Sequence, residues 1–219
     1  MTTLTMPHHS QEHASDELIR TTVTGMIDSL MASLPEPKTL TSEEKRGIIA
    51  RYTAVLEGNF IYWMTATLLA VKAEDARPIL LDNLFEEVRD AHPAMLRRFA
   101  IAANAFPGEA DAMAVNKEMN DMRVFLGKLS PVQSLASMAF FEGYIQKFMP
   151  YLAELATVRG SSDMEYTDVH GVCDIAHTDG LFNALSIESE MNPPGADQDL
   201  LEGVNLLDTL MRRVVFYKN

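Results

Sequence analysis

The stretch DVHGVCDIAH, residues 168–177, places two histidines and an aspartate at helical spacing in a largely apolar segment. At about 100° per residue, His170, Asp174 and His177 project from one side of a helix over two turns. Burying imidazoles and a carboxylate without partners is costly, and a divalent metal is a partner that accepts both. A hydrogen-bonded network or a solvated polar face explains the same spacing, so both interpretations stay open.

The helix around this stretch is predicted to cover residues 165–190 and to end at NPPGAD. If its polar side is buried, that side needs apolar cover. Neighbours on the same helix are expected to supply it: Val169, Val172, Cys173, Ile175, Ala176 and Leu181.

The rest of the chain also has helical periodicity, divided by proline and glycine. Neither an alternating strand pattern nor an internal repeat is visible. The sequence predicts an all-α, single-domain bundle of seven or eight helices over residues 16–219, preceded by a flexible tail over residues 1–15. The further predicted helices are 16–31, 42–71 with a bend or break near Gly58, 78–106 with a kink or restart at Pro93, 110–127, 131–158 with a kink at Pro150, and 197–215.

Composition restricts the partners of the chain. Its 219 residues have a net charge of −13, from 18 Lys plus Arg and 31 Asp plus Glu, and no basic cluster, so nucleic acid is not an expected partner.

The longest apolar run, residues 59–71, falls short of the ~20 residues that a membrane span requires. The single cysteine, Cys173, fits a reducing compartment, and no secretory signal is visible, so we expect a cytoplasmic protein.

Other acids and histidines occur in helical, largely apolar surroundings. His92 follows Glu86 and Glu87 by six and five residues, spacings that suit an unbroken helix poorly but that a distortion near Pro93 would correct. Glu142 and Glu57 each lie in an apolar and aromatic run, where an acid must be paired, protonated or metal-bound. The alternative interpretation is that these residues have no common role. Glu86 and Glu87 would then be a surface pair, His92 would lie near a helix end, and Glu142 and Glu57 would face solvent. Four helices of a bundle can nevertheless build one metal site.

The spacing narrows the kind of site. Ferritin-like di-iron proteins need Glu-x-x-His pairs, and the chain has none. Zinc sites rich in cysteine and the H-E-x-x-H motif are also absent. A mixture of carboxylates and imidazoles favours iron or manganese.

The ordered acids and histidines resemble the motif of the haem-oxygenase-like di-iron oxidases and oxygenases, over roughly residues 45–190. The segment DNLFEEVRDAHPAML, residues 82–96, is similar to another segment of that family, and the late H-x3-D-x2-H is the most specific part. The resemblance implies a bundle of about seven helices, two iron ions as cofactor, O2 as co-substrate and an external electron donor. The implied metal ligands and catalytic residues are Glu57, Glu87, His92, Glu142, His170, Asp174 and His177.

The resemblance also implies how the ligands are shared. One iron would take Glu87, His92 and His177, and the other would take His170 and Asp174. Glu142 would bridge the two, with Glu57 nearby, and Glu86 remains an alternative to Glu87. Bundles of this kind are commonly homodimers.

The implied reaction is oxidation of an unactivated C–H bond in a small aliphatic substrate. Among family members, the likeness is to enzymes that oxidise free isoleucine and valine and form azetidine amino acids for peptidyl-nucleoside antibiotics. A di-iron oxidase that desaturates or cleaves a fatty acid and a non-catalytic metal-binding bundle are the alternatives. Expected substrate contacts are Arg123, Lys128 or Lys147 for a carboxylate and Asp179 for an amine, with an apolar wall from Phe60, Trp63, Phe140, Phe141 and Tyr144.

Overall fold

The computed structural model describes residues 8–195 and 198–218, with side chains described from residue 17 onward. Within these residues the chain forms nine α-helices, one 3-10 helix at Pro37–Thr39 and no strand. The predicted all-α, single-domain bundle is confirmed, and two of its predicted helices are each divided in two. The α-helices are α1 His8–Ala32, α2 Ser42–Leu56, α3 Phe60–Ala70, α4 Arg77–Arg89, α5 His92–Ala102, α6 Glu109–Leu126, α7 Pro131–Val158, α8 Glu165–Met191 and α9 Glu202–Phe216.

The predicted helix over residues 42–71 breaks at Gly58. Helix α2 begins with a capping box, in which Thr41 accepts from the backbone N–H of Glu44 and the Glu44 side chain accepts from that of Thr41. Glu57 already has extended torsions, and Gly58 has a φ of 84°, which side chains with a Cβ disfavour. Helix α3 therefore starts in a new direction at Phe60.

A second break separates α4 from α5. Ala91 adopts a left-handed conformation, with a φ of 56° and a ψ of 42°, and α5 starts at His92 with Pro93 in its first turn. The restart predicted at Pro93 thus occurs one residue earlier. Proline fits a first helical turn because it has no N–H to leave unpaired.

The ends of the chain differ from the sequence prediction. Helix α1 begins at His8, so residues 8–15 of the predicted tail extend the helix, and residues 1–7 lie outside the described residues. This stretch contains neither glycine nor proline, which permits the extension. Helix α9 begins at Glu202 rather than residue 197.

Helix α7 forms the centre of the bundle. It is apolar on nearly all sides and packs along α8, with further contacts to α1, α9, α3 and α2. Pro150 lies within it at an exposed position and does not end it. Helix α8 in turn contacts α4 and α5, so α4, α5 and α7, which carry Glu87, His92 and Glu142, all pack against α8.

Candidate metal centre

Helix α8 buries polar side chains and exposes apolar ones over residues 168–177. His170 and Asp174 are 4% and 0% exposed, whereas Val172 and Ile175 are 72% and 53% exposed. The predicted apolar cover from Val172 and Ile175 is therefore wrong, because the facing helices α4, α5 and α7 cover the polar side instead. The side chain of His177 is also 9% exposed on this polar side. Ordinary surface helices have the opposite arrangement.

The break at Ala91 brings Glu87 and His92 together. His92 Nδ1 lies 2.7 Å from Glu87 Oε1, although the two residues are on different helices. His170 Nε2 approaches the same oxygen at 3.8 Å, and the rings of His92 and His170 are 4.5 Å apart between centroids. Potential ligand atoms of Glu87, His92 and His170 all lie within 4.8 Å of one another. We call these three buried residues the Glu87 group.

A backbone carbonyl fixes the tautomer of His170. The Nδ1 atom is 2.8 Å from the carbonyl oxygen of Tyr166, which can only accept, so Nδ1 carries the proton and donates it. Nε2 faces Glu87 and is the ring nitrogen left for a metal. This is the arrangement in which metal-binding histidines are usually held. Tyr166 was not predicted as a site residue, although its position four residues before His170 places it on the same side of α8.

The second half of the site lies beside Glu142, which α7 contributes. His177 Nδ1 is 3.9 Å from Glu142 Oε1 and 3.6 Å from Asp174 Oδ1. Ligand atoms of Cys173, Asp174 and His177 lie within 4.8 Å of one another, and the Cys173 thiol donates to Asp174 Oδ1 at 3.2 Å. Asn83 Nδ2 donates to Glu142 Oε1 at 2.8 Å. We call Asp174, His177 and Glu142 the Asp174 group.

The structure distinguishes the two adjacent glutamates of α4. Glu87 is buried between His92 and His170, whereas Glu86 is partly exposed and lies 2.9 Å from His177 Nε2. The grouping of ligands in the structure also differs from the sharing that the resemblance implied, because His170 rather than His177 accompanies Glu87 and His92. Helix α5, which His92 begins, packs against α8, and the rings of His92 and His170 are in contact.

Glu57 belongs to neither group. Its carboxylate pairs with Arg97 on α5, accepting from Nε at 2.8 Å and also from Nη2. The turn at Gly58 places this side chain at the edge of the bundle, where it is 23% exposed. The structure thus does not bring Glu57 together with the other predicted ligands.

Burial and mutual contact shift the pKa values at the site. Burial raises the pKa of Glu87, but the neighbouring imidazoles of His170 and His92 outweigh it and hold that pKa at about 2. Burial and then the charge of Asp174 raise the pKa of Glu142 to about 7. Burial lowers the pKa of His177, but Asp174 and Glu142 raise it to about 11. In the metal-free chain these shifts keep protons on His177 and Glu142, and a bound cation would take the place of those protons.

The donor set fits a metal. Buried Asp174 Oδ2, His177 Nδ1 and Asn83 Oδ1 have no hydrogen-bond partner. In the described part of the chain, no lysine or arginine pairs with Glu87, Glu142 or Asp174. Buried charges normally need a partner, and iron accepts both carboxylate and imidazole.

A small cavity of about 20 Å³, roughly room for one water molecule, adjoins the Glu87 group and opens to solvent. Carboxylates and imidazoles form one side, and apolar side chains form the other. Its lining is Leu56, Phe60, Glu87, His92, Pro93, Leu96, Glu142, Ile145, Tyr166 and His170.

Of the predicted apolar wall, only Phe60 is among these lining residues. Trp63, Phe140, Phe141 and Tyr144 are fully buried core residues. None of the predicted substrate contacts lines this cavity. Their partners are Asn59 for Arg123, Glu202 for Lys128, Asp28 for Lys147, and Arg20 for Asp179.

An all-α bundle with two adjacent groups of buried carboxylates and imidazoles defines a metal-binding helical protein. A family model described as "iron-containing redox enzyme" matches residues 50–210, which include both groups. The chain belongs to this haem-oxygenase-like family. No curated protein and no solved structure matches it significantly. None of the described helices has both the length and the hydrophobicity needed to cross a membrane.

Proposed function

We propose that this chain is a non-haem di-iron enzyme that uses O2 to attack an unactivated C–H bond of a small aliphatic substrate. The supporting observation is the burial of Glu87, Glu142 and Asp174 beside imidazoles, without a lysine or arginine partner among the described residues. Two iron ions would supply the missing positive charge. Membership of a family of iron-containing redox enzymes favours iron over manganese.

The two groups would each hold one ion. Glu87, His92 and His170 would bind one iron, and Asp174 and His177 would bind the other, with Glu142 between them. Glu57 stays a predicted ligand, and it would have to leave Arg97 before it could join either group.

The remaining residues would hold and shield this centre. The Asn83 amide orients Glu142, and the Tyr166 carbonyl orients His170. Leu96 and Ile145 keep the adjoining cavity apolar. Iron, when bound, supplies the reduction of O2 and the oxidation of the C–H bond.

We further propose that the substrate is a free aliphatic amino acid such as isoleucine or valine. Desaturation would remove two hydrogen atoms from adjacent carbons, and an external donor would supply the other two electrons that reduce O2 to water. A second oxidation with C–N bond formation would close an azetidine ring. The resemblance of the ordered acids and histidines to enzymes that oxidise free isoleucine and valine supports this substrate class.

We also propose a cytoplasmic location, which the single cysteine supports.

Anaerobic iron(II) loading tests the proposal. We expect close to two irons per chain after desalting, and the same content in Glu188→Gln, which alters a buried carboxylate elsewhere. Exposure to O2 with isoleucine, valine or a medium-chain fatty acid, followed by O2 consumption and mass spectrometry of products, identifies the substrate class. Iron binding without substrate-dependent O2 consumption would support the non-catalytic bundle, and absence of iron binding would contradict both.

A further inference from the structure

The cavity contains no cation for the carboxylate of an amino acid or fatty acid. Its ten lining residues include neither lysine nor arginine. A carboxylate that leaves water needs a charged or hydrogen-bonding partner, and arginine is well suited because its guanidinium can donate two parallel hydrogen bonds. Apart from the proposed iron ions, such a cation would have to come from the edge of the cavity.

Arg97 is placed at this edge. On α5, Pro93 and Leu96 line the cavity, and Arg97 lies one turn after Pro93 on the same side of the helix. Its partner Glu57 lies between Leu56 and Phe60, which also line the cavity. The ion pair thus joins the α2–α3 connection to α5 beside the cavity wall.

In the Arg97–Glu57 ion pair, another carboxylate could replace Glu57 as the partner of Arg97. The side chain of Arg97 is 56% exposed and that of Glu57 is 23% exposed, so the pair is largely solvated and contributes little to stability. Both donating nitrogens of Arg97 use the same oxygen, Glu57 Oε1. A carboxylate arriving from the cavity can offer two oxygens to the same guanidinium edge.

We propose that Arg97 binds the carboxylate of an aliphatic substrate in place of Glu57. The aliphatic part then lies along Leu56, Leu96 and Ile145, and the carboxylate stays at the cavity edge, away from the Glu87 group. This assignment rests on the proposed function for its substrate class, and Arg97 is not among the residues predicted from the sequence.

Isothermal titration calorimetry under anaerobic conditions tests the assignment, using iron(II)-loaded protein and, in parallel, metal-free protein. The probes are L-isoleucine and hexanoate, each compared with its amide. We expect Arg97→Leu to weaken binding of both carboxylates about tenfold or more, Arg97→Lys to weaken it less, and the amides to bind weakly to every variant. Glu57→Gln, which removes the competing charge, should bind the carboxylates more tightly in the metal-free protein.

Arg98→Leu is the matched control. Arg98 is the next residue on α5, is 50% exposed and pairs with Glu165 on α8, but it is turned away from Pro93. This variant should bind both carboxylates like the original chain, and circular dichroism should show equal helicity in all variants.

Several outcomes would overturn the assignment: unchanged affinity in Arg97→Leu, equal affinity for acids and amides, or no carboxylate binding to iron-loaded protein. Iron content is measured on the same samples. Normal iron content with binding that does not depend on Arg97 refutes this assignment and leaves the proposed function intact. Absence of iron refutes the proposed function, while titrations of the metal-free protein still decide the role of Arg97.

Discussion

Replacing Glu142 by glutamine should stabilise the metal-free protein at pH 8 and abolish the stability that it gains from iron. Glu142 is 1% exposed, and burial followed by the charge of Asp174 raises its pKa from 4.5 to about 7. The ionised form therefore costs about 3 kcal/mol in the folded chain, since one pKa unit corresponds to about 1.4 kcal/mol. Glutamine removes this cost and keeps an oxygen for the hydrogen bond from Asn83.

The sign of the pH dependence follows from this raised pKa. Between pH 4.5 and 7, the folded chain holds the Glu142 proton more tightly than the unfolded chain does, so the stability contributed by this group falls as the pH rises. The gain from Glu142→Gln should be near zero below pH 4.5 and reach at most about 3 kcal/mol above pH 7. Iron at 100 times the dissociation constant of a site should stabilise the original chain by about 2.7 kcal/mol for each ion bound, and the variant much less.

Urea unfolding at pH 5 and pH 8, with and without iron(II), measures both effects. The single tryptophan, Trp63, is fully buried and reports unfolding by fluorescence. Glu188→Gln is the control, because Glu188 is equally buried but accepts from the backbone N–H groups of Lys72 and Ala73 and from Asn192. This substitution should cost about 1–3 kcal/mol at pH 8 and preserve the iron effect. A loss of stability in Glu142→Gln at pH 8, or equal stabilisation by iron, would refute the reasoning.

Three further changes test other parts of the structure. His170→Ala should abolish O2-dependent turnover and lower iron content without loss of helicity by circular dichroism; full activity would contradict its role as a ligand. Asn83→Ala should weaken iron binding about 10- to 100-fold in a competition assay with a chelator, because Glu142 loses its orienting hydrogen bond; unchanged affinity would argue against that orientation. Gly58→Ala should destabilise the protein by about 1–2 kcal/mol in urea unfolding, because a Cβ there meets no atom within 4 Å and only the φ of 84° opposes it; an increase in stability would exclude backbone strain.

The sequence predicts the helices well because their periodicity and breakers are local. Gly58 and Pro93 mark the two breaks, and the structure divides helices at both places. The left-handed torsion at Ala91 could not be predicted, since alanine has no preference for it and tertiary packing must impose it. That torsion separates α4 from α5 and lets His92 contact Glu87 across the break.

The site was predictable where spacing on one helix decides proximity, as for His170, Asp174 and His177. It was less predictable where helices meet. Asn83 precedes Glu87 by four residues and shares its side of α4, which was an available signal. Arg97 gave no such signal, because its contact with Glu57 spans 40 residues of sequence and depends on the turn at Gly58.

The possible ligands of the candidate metal centre come from widely separated parts of the chain. Glu87 and His92 precede the middle of the sequence, whereas His170, Asp174 and His177 lie in its last quarter, on α8. A ribosome must therefore synthesise most of the chain, through His177, before all of these donors exist. Iron binding at the proposed centre would consequently be a late event in the life of the polypeptide, and a truncated product lacking α8 would lack three of the proposed ligands.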